Sequence, residues 1–272
     1  MHKWLGLRLL VALSLALFSQ WSLASLSLLT EPVQGALVRA TVPAGSQVSY
    51  QQQKIRVSQQ GEFVFGIGRD EQGSRTIEWV SADGQTHQQS FEIIPRQFAI
   101  EKVDGLPPKM VNPDPSLAAR IRADAANARK ARERNDERLD FMQDFIWPAK
   151  GRISGVYGSQ RILNGEPKTP HYGVDVAAPT GTAVVAPASG IVTLWQPDMY
   201  YSGGTLIIDH GFGVSSTFLH LSASHVQTGQ RVEQGQLIAE IGATGRATGP
   251  HLDWRMNWMN VRVDPQLLVP AR

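Results

Sequence analysis

Cysteine is absent from the 272-residue chain, so it forms no disulfide and binds no metal through thiolate. Any transition metal must be held by histidine and carboxylate. Long apolar runs are also missing. The nearest candidate, residues 9–18, is shorter than the roughly 20 residues that span a bilayer. It follows Lys3 and Arg8 and precedes Ser22-Leu23-Ala24, a small-x-small cleavage pattern. Residues 1–24 therefore read as a signal peptide, which implies secretion across the inner membrane, a periplasmic location and no stable membrane insertion after cleavage. No cysteine follows it, which excludes a lipid anchor. Basic excess is lacking as well. Of the 26 Lys and Arg, Lys3 and Arg8 fall in that leader, leaving 24 against 24 acids, so nucleic-acid binding has no electrostatic support.

What is present is β-type sequence. Residues 25–98 alternate short, partly apolar runs with turn signals such as Pro43-Ala44-Gly45, Gln60-Gly61 and Asp83-Gly84. This spacing predicts a small sandwich-like β domain. His87 falls near a turn signal and reads as surface. Residues 99–147 form a connector. Gly105, Pro107, Pro108 and Pro113 make its first part stiff and extended. Asp114-Pro115 then starts a helix expected to run to about Phe141, with Leu117, Ile121, Ala125, Ala128 and Arg132 along one stripe. From residue 148 to 272 the chain is strand-like and glycine-rich, and reads as an antiparallel β domain. The fold class is mainly β, with one connecting α-helix.

Histidines number seven, and three of them sit in short β-type segments. His171 and Asp175 are four apart. His251 and Asp253 are two apart, so on a strand they share a face. His220 follows Thr217-Phe218-Leu219. Together these make a candidate metal site with imidazoles to spare for proton transfer. The glycine-rich loop Gly242–Pro250 before His251 would present it at a groove. The same loop fails as a phosphate cradle, because no Gly-Lys-Ser/Thr follows. His210 precedes a glycine turn and reads as structural.

The motifs His171-Tyr-Gly-Val-Asp175, Gly181-Thr-Ala-Val-Val-Ala186, Leu219-His220-Leu221, Gly242-Ala-Thr-Gly245 and Gly249-Pro-His251 resemble the M23 peptidases. These are the lysostaphin- and LytM-type zinc endopeptidases of bacterial peptidoglycan. The match runs in order over roughly residues 148–268. The resemblance implies a β-sheet groove with zinc at its floor, ligated by His171 and Asp175. It implies catalytic histidines at His220 and His251, and peptidoglycan stem peptides as substrate, cut by water that the zinc acidifies.

One position departs from the family pattern. Where the family's His-x-His places its third ligand, this chain has Asp253. The first reading takes Asp253 as a zinc ligand. The second takes the domain as a catalytically inactive M23-like protein that binds peptidoglycan or activates a cell-wall amidase. One His and two carboxylates would neutralise Zn²⁺, which predicts a pH optimum more alkaline than in a His-x-His relative. Segment 229–241 has a carrier-type hairpin look but no lysine at the tip. The 25–98 domain is expected either to recognise glycan or to mask the groove. The tyrosine that some relatives carry before His-x-x-x-Asp is not recognisable; Arg161, Asn164 and Lys168 occupy that loop.

Overall fold

The computed structural model describes residues 25–105 and 114–272. The leader 1–24 and the prolines at 107, 108 and 113 lie outside the described residues. The chain is mainly β, with antiparallel sheets and a single α-helix of more than one turn among the described residues.

Two small sheets form the amino-terminal part. One has Ser27–Leu28, Leu37–Thr41 and Glu62–Gly66; the other has Gln53–Ile55, Gln47–Tyr50, Gly73–Val80 and Thr86–Ile93. Their inward residues, among them Leu37, Phe63, Phe65, Ile77 and Trp79, are buried. Each such side chain contributes roughly 1.5–3 kcal/mol when taken from water. Gly66 lies so close to Trp258, Val261 and Val263 that a Cβ there would stand 3.1–3.2 Å from them. The amino-terminal sheet thus packs directly on the carboxy-terminal one. His87 is not in a turn. It lies on the strand Thr86–Ile93, half-buried, stacked on Trp79 with ring centroids 5.1 Å apart and 3.0 Å from Ser81 Oγ.

The connector differs from expectation at both ends. Ile100–Val103 is a strand and pairs in parallel with Gln160–Leu163, so this part of the extended segment belongs to a sheet. The helix starts as read, with Asp114 accepting from the Ser116 amide at 2.8 Å. It stops at Ala131 rather than near Phe141. The reason is tertiary. Beyond Arg132, Arg138 bonds Asp136, Asp140 and the buried carboxylate of Asp209, and Arg134 bonds Asp136 at 2.7 Å. These ion pairs tie residues 134–140 to the sheet and outweigh a propensity of a few tenths of a kcal/mol per residue. The helix stripe is half-buried at Leu117, Ile121 and Ala128 as expected, while Ala125 is exposed and Asp124 takes its place, accepting from the Tyr200 amide.

The carboxy-terminal part is a ten-stranded sheet. Its main path runs Arg231–Val232, Gly190–Met199, Gly203–Asp209, Val214–Ser224, His251–Trp258, Val174–Ala177, Arg152–Gly155. The strand His251–Trp258 explains its architecture. Its sequence, His-Leu-Asp-Trp-Arg-Met-Asn-Trp, alternates strictly. Leu252, Trp254, Met256 and Trp258 point into the core beside Val174 and Val176. His251, Asp253 and Arg255 take the opposite face and line an open groove of about 580 Å³. Asp175 and Ala177 of the neighbouring strand line it too.

Candidate metal centre

Register brings the site together. Asp175 stands directly opposite Asp253, and Ala177 opposite His251. On the other side Leu219 stands opposite Asp253. Successive strand residues alternate faces, yet both Leu219 and His220 line the groove. The break lies in the backbone. His220 has φ +63°, a left-handed conformation that a non-glycine residue holds at a cost of about 1–3 kcal/mol. Its amide bonds Ser202 O at 2.8 Å, and the strand pairing shifts register just beyond it. His171 is set from outside the sheet, by its amide on Ser159 O at 2.9 Å and its carbonyl under the Gly158 amide at 2.7 Å.

His171, Asp175 and Asp253 each offer a ligand atom, and these atoms lie within 4.8 Å of one another. All three residues are buried. His171 Nε2 stands 3.0 Å from Asp175 Oδ1, but neither atom has a hydrogen-bond partner, and neither does His171 Nδ1. Buried polar atoms in proteins are nearly always satisfied, because leaving one bare costs about 1–3 kcal/mol. Orphaned nitrogen and oxygen atoms converging with a second carboxylate fit a divalent cation. Imidazole with carboxylate is a donor set that suits zinc. Two glycines make the room. A Cβ at Gly155 would fall 2.3 Å from Asp175 Oδ2, and one at Gly173 would fall 2.3 Å from Asp253 Oδ1 and 2.8 Å from Arg255 Cγ.

The flanking histidines are oriented by the glycine-rich loop. His220 Nδ1 lies 2.8 Å from Thr244 O, and His251 Nδ1 lies 2.8 Å from Gly249 O. A carbonyl can only accept, so each Nδ1 carries the proton and each neutral ring keeps a lone pair on Nε2. The rings are 4.7 Å apart between centroids. Burial lowers the proton affinity of His220 more than the Thr244 bond raises it. The loop is itself fixed by Thr244 Oγ1, which donates to Leu221 O and accepts from the Gly204 amide, both at 2.9 Å. Gly203 and Gly245 permit that approach, since a Cβ at Gly203 would lie 2.2 Å from Thr244 Oγ1. The remaining histidines stand apart. His210 is fully buried between Ser189 O and Ser216 Oγ, and His225 is exposed beside Glu240.

Sequence reasoning missed Arg255 and gave Arg161 no role. Arg255 bonds Asp253 through Nε at 3.0 and 3.1 Å and through Nη2 at 2.5 Å. Burial favours the neutral acid, but Arg255 together with His171 and His220 outweighs it and holds the Asp253 carboxyl well below its usual range. Arg161 Nη2 stands 3.4 Å from Asp175 Oδ2. Arg255 was findable, because it continues the two-residue spacing that links His251 to Asp253. Arg161 was not, since only the fold of its loop brings it there. The charge count behind the expected alkaline pH optimum covered only the three ligand residues, and these guanidiniums stand beside two of them.

None of the described residues of 25–98 lines the groove; the nearest contribution from that side is Glu101. No helix among the described residues is long and apolar enough to cross a membrane.

The model of Peptidase family M23 matches residues 169–265. The solved structure of a peptidase M23 of Pseudomonas aeruginosa is 30% identical, with a TM-score of 0.69, over 88% of this chain and 96% of that one. The peptidoglycan DD-endopeptidase ShyA of Vibrio cholerae is 32% identical over 61% of this chain and 39% of its own length. ShyC of the same organism is 34% identical over 42% of this chain and 27% of its own. The chain therefore spans well under half the length of these two relatives.

Proposed function

The chain belongs to peptidase family M23, and from that premise we propose that it is an exported zinc endopeptidase that hydrolyses peptide cross-links of bacterial peptidoglycan. The observation that carries the reading is the convergence of His171 Nε2 and Asp175 Oδ1, both buried and unpartnered, with Asp253 at the floor of an open groove. His171, Asp175 and Asp253 are the ligands in this proposal. Zinc held there would polarise a scissile carbonyl and acidify water. His220 and His251 bring the other half of the chemistry. Each presents an Nε2 lone pair, fixed by the carbonyl behind its Nδ1, and so can take a proton from water and return it to the leaving amine. Neutral imidazole is the form required, and burial of His220 favours it. The strain at His220 is what brings it beside His251. The groove is open to solvent, and the peptidoglycan DD-endopeptidases ShyA and ShyC, to which the chain is similar, supply the substrate class.

A second reading, a non-catalytic envelope protein, draws on one observation: Arg255 engages both oxygens of Asp253. One experiment separates the two. Purified full-length mature protein is incubated with sacculi, with and without chelator, and its zinc content is measured. The enzyme reading expects bound zinc and release of muropeptides that chelation abolishes. Zinc-free protein that releases nothing even after zinc is added would sink it.

A further inference from the structure

Asp175 and Asp253 are register partners on adjacent strands, and both are buried. Like charges placed directly opposite destabilise a sheet, the more so out of water. A cluster of this kind, left without its ion, should push its own strands apart. Many metal sites form only as the ion binds. Here each carboxylate has its own guanidinium. Asp253 has Arg255, at 2.5 Å in the shortest contact, with only 4% of the Asp253 side chain exposed. Asp175 has Arg161 at 3.4 Å, and Arg161 is in turn 3.7 Å from Glu101. Asp175 also divides its oxygens. Oδ2 faces Arg161, while Oδ1 is the atom left bare beside His171. Gly173 completes the arrangement, since any Cβ there would strike both Asp253 Oδ1 and Arg255 Cγ.

We propose that Arg161 and Arg255 are positioning residues that keep the His171, Asp175 and Asp253 cluster assembled in the metal-free protein, so that the ion enters a site already built. The role of the ion rests on the metal reading above. The coupling between arginine and aspartate does not, because it is measured with no metal present.

The test is thermal unfolding of the full-length mature protein, followed by circular dichroism in excess EDTA and again with added zinc. In EDTA, Arg255→Met should lower the melting temperature by on the order of 5–10 °C, the loss expected when one partner of a buried pair is removed. Asp253→Asn combined with Arg255→Met should melt no lower than Arg255→Met alone, and Arg255→Lys should recover part of the loss. Zinc should restore more stability to Arg255→Met than to wild type, because the ion then supplies the missing countercharge. Strictly additive losses in EDTA would overturn the proposal. So would a zinc-binding wild type whose loss on Arg255→Met is the same in zinc as in EDTA. If Arg255→Met does not fold, Arg161→Met paired with Asp175→Asn answers the same question at a side chain that is 34% exposed. Zinc uptake by wild type, read by elemental analysis, is recorded separately. Its failure would remove the metal reading and leave the coupling in EDTA to decide the arginines.

Discussion

His210 offers a sharp test of the packing between connector and sheet. It is fully buried, with Nδ1 2.7 Å from Ser189 O and Nε2 2.8 Å from Ser216 Oγ. Phe145 packs edge-on at 5.2 Å, and the His210 carbonyl takes the Phe141 amide at 3.0 Å. Burial lowers its pKa from 6.5 to about 4, against smaller opposing contributions from Ser189 and Asp140. A folded-state pKa below the unfolded value means that the unfolded chain binds the proton first. The stability this group protects is complete above pH 6.5 and is lost as pH falls through 4. A difference of about 2.5 pK units corresponds to roughly 3 kcal/mol. The perturbation is His210→Gln, which can keep one hydrogen bond but does not titrate. Urea unfolding by tryptophan fluorescence, in chelator, gives the stability of both proteins from pH 7.5 to pH 4. Wild type should be the more stable at pH 7.5, and its advantage should shrink by about 3 kcal/mol on reaching pH 4. Asp209 next door works in the opposite sense, since burial raises its pKa to about 6 against the pull of Arg138. Both proteins share that residue, so the difference between them isolates His210. A gap constant to within about 0.5 kcal/mol across this range would refute the reasoning.

Gly173→Ala should cost about 1–3 kcal/mol by overpacking, since its Cβ would meet Asp253 Oδ1 and Arg255 Cγ, and should weaken zinc binding by at least tenfold in a chelator-competition titration. His220→Ala and His251→Ala should each lower the rate of muropeptide release about 100- to 10,000-fold while zinc content stays at the wild-type level. His220→Ala should in addition lower thermal stability, because it removes the imidazole donor from the Thr244 carbonyl and keeps φ +63° at a non-glycine residue.

Much of this site was visible along the chain. His251 with Asp253 follows from local spacing, because a strand puts alternate residues on one face whatever it later packs against. His171 with Asp175 is visible as a close pair in the chain, although a loop bond outside the sheet sets His171. The strict alternation of residues 251–258 likewise declares a strand with one wet face and one dry face. The region from 148 onward was legible as strand for a different reason, since glycine-rich turns separate its short apolar runs. The helix end was not, because Arg134 and Arg138 leave the helical path to reach Asp209, seventy residues on. Nor was the strand Ile100–Val103, whose partner lies sixty residues away at Gln160–Leu163.

What the chain determines by itself is therefore the chemistry available: no thiolate, one buried-type His–Asp motif, one His–Asp strand, and imidazoles in reserve. What only the tertiary structure decides is how charge is balanced. Register places Asp175 against Asp253, a positive φ turns His220 into the groove, and two arginines from different elements come to rest on the two carboxylates. Spacing is a property of a single strand and survives in the sequence. Electrostatic pairing depends on distances between strands, which exist only once the sheet has formed.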